Sequence, residues 1–271
     1  MSDMLSVLPE VYWIYLCALM SNMLLGLPTN SWVLWLIAKG SRDTLSSEIF
    51  TFNLAALELT YCLQIPLSFL NYFLWKQRFI RLFTFFNALI IFGRPLFLCC
   101  ICIERYLAVL HPLTFLRCKP LRYRLGCLGL AWMGTIAGCS FCVFLDADVL
   151  NYVILAVMLV ILSIKCFCCL AVLQALRRPG PGEGAPGQSR GGGPQLAKQK
   201  AFRIILFNLI FNLVDYLPMT VAILLRSLMS ERVFRLFRAI SSSIAVFGAF
   251  IQPVHFLFRA GKLQCIVGNT C

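Results

Sequence analysis

Few residues in this chain can do chemistry, and most of them sit in apolar company. Glu58, Arg94, Lys165 and Asp215 each interrupt an oily run, as in "NLAALELTYC", "IIFGRPLFLCC", "VILSIKCFCCL" and "FNLVDYLPM". In "CICIERYLAVLHPL", residues 100–113, Glu104 and Arg105 stand side by side where such a run ends. The chain has 2 His, and no nucleophile–base spacing accompanies them, so an enzyme, a metal or a cofactor is not expected. The 14 Cys are scattered through apolar stretches without zinc-ligand partners and read as small hydrophobes. The chemistry open to the four buried charges is to pair across helices or to mark a path for ions, since charge inside a membrane is expensive and usually functional. Arg105, at the end of its run, can instead snorkel to water at the interface.

These residues must be held by helices that cross a bilayer. The chain has 271 residues, 60% hydrophobic and 13% charged. Soluble domains carry about 25% charged residues. Its apolar blocks exceed the ~18 residues that separate a membrane span from a core helix. The first block begins near Val11, follows no basic segment and is too long for a cleavable signal, so it is expected to remain as an anchor. Spans are predicted at 11–37, 46–74, 80–110, 122–145, 149–177, 198–226 and 233–258, giving an all-α seven-helix membrane bundle over residues 1–271 as one domain.

One set of connections carries twice as many Lys and Arg as the other, which places the N-terminus outside and the C-terminus in the cytoplasm. Between Pro179 and Pro194, 11 of 16 residues are Gly or Pro, so a disordered cytoplasmic linker is expected over 178–197. A short cytoplasmic tail follows over 259–271, where Cys265 is a candidate for palmitoylation, with a buried structural Cys as the alternative. No internal repeat supports a transporter of duplicated halves.

"ERYLAVLHPL" at the end of a third oily span closely resembles the [DE]RY motif of rhodopsin-like G-protein-coupled receptors. Other positions resemble the same family in order: Asn30 in span one, Glu58 in "NLAALE" of span two, Trp132 in span four, Pro218 in span six, and "QPVHF" (Gln252 to Phe256) as an altered N-P-x-x-Y. "GLPTNSWVLWL" and "YLAVLHPLTFLRCKPLRY" are most similar to its purinergic, protease-activated and lipid-receptor branch. The resemblance implies a plasma-membrane receptor in which Glu104 restrains Arg105 at rest. It also implies that Arg105, Tyr106 and Leu113 form the face that meets a heterotrimeric G protein.

The chain departs from the family at several of its working parts. Ile80 stands where a disulfide cysteine would be, and the outer loop after span four is too short to supply its partner. In the family, the acid at the Glu58 position binds sodium. Glu58 and Arg94 both fall about 16 Å from the inner membrane edge at 1.5 Å per residue, so the Arg94 guanidinium is expected to take the ion's place and pair with Glu58. An unpaired Arg94 facing a water-filled cavity is the alternative. Lys165 and Asp215 are expected to pair by the same depth argument, unless Lys165 snorkels. Asn30 and Gln252 complete this predicted polar network. Pro95 should kink span three. Asn212 and Tyr216 replace the usual aromatic switch residues beside Pro218, and Phe256, after Pro253, lacks the usual tyrosine hydroxyl.

Tyr61, Phe69, Tyr72 and Phe86 are candidate pocket residues, and Arg226 belongs to a net-basic outer rim. Such a rim favours a small anionic ligand, a nucleotide or a lipid, or else membrane lipid headgroups; nucleic acid is not expected. Two functions remain open. One is an orphan receptor signalling to G proteins. The other is a receptor-like protein that no longer signals and modulates another receptor as its partner in an oligomer.

Overall fold

The computed structural model describes residues 9–73, 79–118, 120–177 and 192–259. Described residues are helical almost throughout, with no strand among them. α1 (Pro9–Ser21) runs through a π-helical turn (Asn22–Gly26) into α2 (Leu27–Lys39). A short α3 (Arg42–Ser47), capped by the Ser41 hydroxyl, leads to α4 (Ile49–Phe73). α5 (Ile80–Leu110), a short α6 (Pro112–Cys118), α7 (Leu121–Phe144) and α8 (Ala147–Arg177) follow. α9 (Gly192–Leu224) and α10 (Glu231–Arg259) complete the fold.

Each predicted span corresponds to one of these helices or, for span one, to the α1–α2 pair, with ends shifted by a few residues. α9 begins at Gly192, so residues 192–197 of the expected linker are helical; 178–191 lie outside the described residues, as do Cys265 and tail residues 260–271. By length and composition alone, four helical stretches among the described residues can cross a membrane: Ile80–Leu110, Leu121–Phe144, Val149–Leu176 and Arg232–Phe258.

The long helices close into a ring around α5. α5 packs on α4, α7 and α8; α8 on α9; α9 on α10; and α10 returns to α1 and α2, which also packs on α4. The outward faces carry exposed Leu, Ile, Phe and Val, such as Leu130, Phe144, Phe167 and Leu170, the composition lipid requires. Glycine decides how close the helices come. A Cβ on Gly138 of α7 would strike the ring of Phe92 on α5, which is 2% exposed and has nowhere to go. Gly138→Ala is therefore expected to lower stability by about 1–3 kcal/mol through overpacking. Gly129→Ala, on the same helix with nothing near its Cβ, should be neutral or slightly stabilising. Thermal melts of the detergent-solubilised chain compare the two.

Span one deviates from a plain α-helix. The π turn leaves carbonyls without their usual donors. The Asn22 carbonyl accepts from the Cys62 thiol at 3.6 Å, and the Gly26 carbonyl from Asn30 Nδ2 at 2.8 Å. Asn30, expected in the polar network, thus serves its own helix.

Candidate functional site

The middle of the bundle is organised by one guanidinium. Arg94 is 6% exposed on α5, where the Pro95 ring follows it and Gly93 packs against Leu57 of α4. Its Nε and Nη2 both donate to the Glu58 carboxylate of α4, Nη2 at 3.0 Å to Oε2. Nη1 donates to the Ala245 carbonyl of α10 at 2.6 Å and lies 3.9 Å from Asp215 Oδ2 of α9. Asp215 comes this close because Gly248 on α10 has no side chain: a Cβ there would lie 2.9 Å from Asp215 Oδ1. One side chain therefore ties together α4, α5, α9 and α10. The planar five-donor fork of arginine permits this, and a lysine could not span these acceptors.

The expected Lys165–Asp215 pair is not formed. Lys165, 1% exposed on α8, holds its ammonium 4.1 Å from the centre of the Tyr216 ring and makes no hydrogen bond. The depth argument places Lys165 and Asp215 at one level, but depth says nothing about direction around a helix. Asp215 faces Arg94, and its neighbour Tyr216 covers Lys165.

At the C-terminal end of α5, Glu104 and Arg105 each take an ion-pair partner from outside that helix. Glu104 Oε1 accepts from Arg124 Nη2 of α7 at 2.6 Å, and Arg124 Nη1 also donates to the Ser46 carbonyl of α3. Arg105 Nη2 lies 3.6 Å from Glu48 Oε1, just before α4, with its side chain 39% exposed. Two ion pairs thus run outward from adjacent residues to neighbouring helices. Tyr106 packs against Phe167 of α8 and shares a 3.3 Å hydrogen bond with His111 Nε2. Leu113, on α6, is 76% exposed.

The remaining predicted residues are dispersed. Tyr61 is buried in a cluster with Ala18, Leu19, Ile65 and Val246. Phe86 is half-buried beside Phe85, and the Arg226 guanidinium lies 4.7 Å from the Phe234 ring centre. Phe69 and Tyr72 lie on α4 with their side chains outside the described residues. Asn212 is buried, Gln252 is half-buried, and Pro218 and Pro253 lie inside α9 and α10. Phe256 packs on the α2–α4 cluster of Val33, Ile37 and Ala55. Trp132 donates from Nε1 to Asn53 Oδ1 at 3.1 Å and meets the Phe97 ring edge-on. Among the described residues no His, Cys, Asp and Glu group could hold a metal ion.

Residues 29–149, from α2 through α7, match the family described as 7 transmembrane receptor (rhodopsin family). The matched segment, less than half of the chain, is similar to that family. The matched segment contains Glu58, Arg94, the Glu104–Arg105 pair and Trp132, whereas Lys165, Asp215 and the α9–α10 prolines lie beyond it. Purinoceptor 6 of Mus musculus is 31% identical over 126 residues, which are 43% of this chain and 38% of that protein. Purinoceptor 3 of Meleagris gallopavo is 35% identical over 99 residues, 34% of this chain and 29% of that one. Proteinase-activated receptor 3 of Homo sapiens is 30% identical over 112 residues, 40% of this chain and 30% of the receptor. Each match spans less than two fifths of the relative's own length. The relatives this chain resembles are purinergic and proteinase-activated receptors by name. The relatives it matches are named as receptors, and four of its described helical stretches are long and apolar enough to cross a membrane.

Sequence reasoning missed Glu48, Arg124 and Ser46, which the fold brings to the Arg105 end of the bundle. Their signal was present but unspecific. They are charged or polar residues at helix ends, where such residues ordinarily do no more than face water.

Proposed function

We propose that the chain receives a signal on its outer face and passes it to a heterotrimeric G protein through Glu104, Arg105, Tyr106 and Leu113. The observation that carries this reading is Arg105: it sits at the end of α5, half in solvent, held by a single 3.6 Å ion pair to Glu48. An exposed pair of that kind is worth only about 0–1 kcal/mol, so a partner that offers Arg105 better contacts can displace Glu48. Leu113, 76% exposed just beyond it, supplies an apolar hook. With the N-terminus outside, these groups face the cytoplasm. The basic outer rim, together with relatives named purinoceptors, favours an anionic nucleotide as ligand, with an anionic lipid next.

Basal G-protein activation in cells expressing the chain tests the proposal. Arg105→Ala should abolish it at equal surface expression. Identical signals from the two proteins across a broad G-protein panel would refute the coupling role.

A second reading has an observation of its own. The Arg94 hub joins four helices that a switching bundle must move relative to one another. A bundle so pinned suits a receptor-shaped partner that modulates another receptor, in an oligomer, without signalling itself. Arrival at the cell surface only when a second receptor is co-expressed would favour this reading over the first.

A further inference from the structure

The inner halves of α5 and α8 hold a cluster that the coupling mechanism does not use. Cys99 and Cys102 lie one turn apart on α5, and Cys166 and Cys169 lie one turn apart on α8 beside Lys165. Buried thiols usually serve as small apolar fillers, and Cys102 packs in this way against the cluster of Cys169, Leu173 and Leu209. Two further features set one pair apart. Cys102 of α5 and Cys169 of α8 pack in one cluster across the helix boundary, and both thiols are free. Lys165 stands one helical turn before Cys169 on α8, almost fully buried, its ammonium bonded to no acceptor and resting on an aromatic ring. A cation in apolar surroundings stabilises anions nearby, and the thiolate is the nucleophilic form of cysteine.

We propose that Cys102 and Cys169 form a redox-active dithiol that hydroperoxides oxidise to a disulfide joining α5 to α8. Cys102, the less buried of the two, is the attacking group. Its thiolate attacks one peroxide oxygen and the O–O bond breaks. The products are a sulfenic acid and, from hydrogen peroxide, hydroxide that takes up a proton as water. The Cys169 sulfur then attacks the Cys102 sulfur, the S–O bond breaks, and hydroxide leaves with the Cys169 proton as a second water. Two thiols lose two electrons in all, and the peroxide gains them. Exchange with a small thiol reverses the bond. Once formed, the bridge straps α8 to α5 one turn before Arg105.

The test uses the full chain in native membranes. Hydrogen peroxide is added, free thiols are blocked with a maleimide, and the digested protein is searched by mass spectrometry for a Cys102–Cys169 linked peptide that dithiothreitol removes. The linked peptide should form before any other cysteine pair does. It should be lost in Cys102→Ser and Cys169→Ser, persist in Cys99→Ser and Cys166→Ser, and form several-fold more slowly in Lys165→Met. A different partner for Cys102, or both thiols still blocked by maleimide after peroxide, overturns the dithiol. An unchanged rate in Lys165→Met overturns the role given to lysine. The decisive measurement is made on the unaltered chain, so a variant that folds poorly does not obscure it, and it does not depend on G-protein coupling.

Discussion

Replacing Glu58 with Gln is expected to destabilise the folded chain by about 3–5 kcal/mol, the range for breaking a buried ion pair from one side. The size follows from what is left behind. Arg94 cannot lose its proton, it is 6% exposed, and it would keep the Ala245 carbonyl and an Asp215 oxygen 3.9 Å away. Neither replaces a carboxylate that accepts from two guanidinium nitrogens. The partner variant Arg94→Met should be comparably destabilised, because Glu58 and Asp215 would then face one another without a cation. Removing both charges of the pair together, as in Glu58→Gln with Arg94→Met, should recover part of the loss. Melting curves of the four proteins in detergent give the coupling energy directly. A melting temperature for Glu58→Gln equal to that of the unaltered chain would show that Arg94 finds full compensation elsewhere.

The next largest effect is expected at the C-terminal end of α5. Arg124→Ala removes the partner of Glu104 and the donor to the Ser46 carbonyl, on a side chain 8% exposed. Glu104 is more open than Glu58, so the expected loss is about 2–3 kcal/mol, below the range for fully buried pairs. Arg124→Lys should restore only part of it, since one ammonium cannot serve both acceptors with the geometry of a guanidinium. If the chain couples to G proteins, the same substitution should also raise basal activation, because it unties the C-terminal end of α5 from α3 and α7. Chemical denaturation reads the first effect and a basal signalling assay reads the second. Equal stability of Arg124→Ala and the unaltered chain would remove Arg124 from the structural account.

Much of this was legible in the sequence, for physical reasons that differ from place to place. Helix positions followed from unbroken apolar blocks, because the bilayer leaves the backbone no alternative to satisfying its own hydrogen bonds. The Glu58–Arg94 contact followed from depth: two charges at one level on neighbouring helices have strong reason to meet. The same arithmetic failed for Lys165 and Asp215. A helix face must be known to within a fraction of a turn before a partner can be chosen, and Arg94 was better placed to reach the carboxylate. Glu48 and Arg124 were invisible for the opposite reason. They lie where charge is ordinary, and only the packing of α4 and α7 against α5 gives them specific partners. The π turn left no mark that composition could reveal.

That turn bears on how the first membrane segment accommodates change. Its buried positions Ala18, Asn22, Gly26 and Asn30 recur every fourth residue. On a regular α-helix, each such step overshoots a full turn by about 40°, so three steps would swing the last of them well round toward lipid. The wider coil absorbs the surplus and keeps one stripe facing its neighbours. It works as a vernier between the two halves of the segment, taking up the difference in phase without unseating either end.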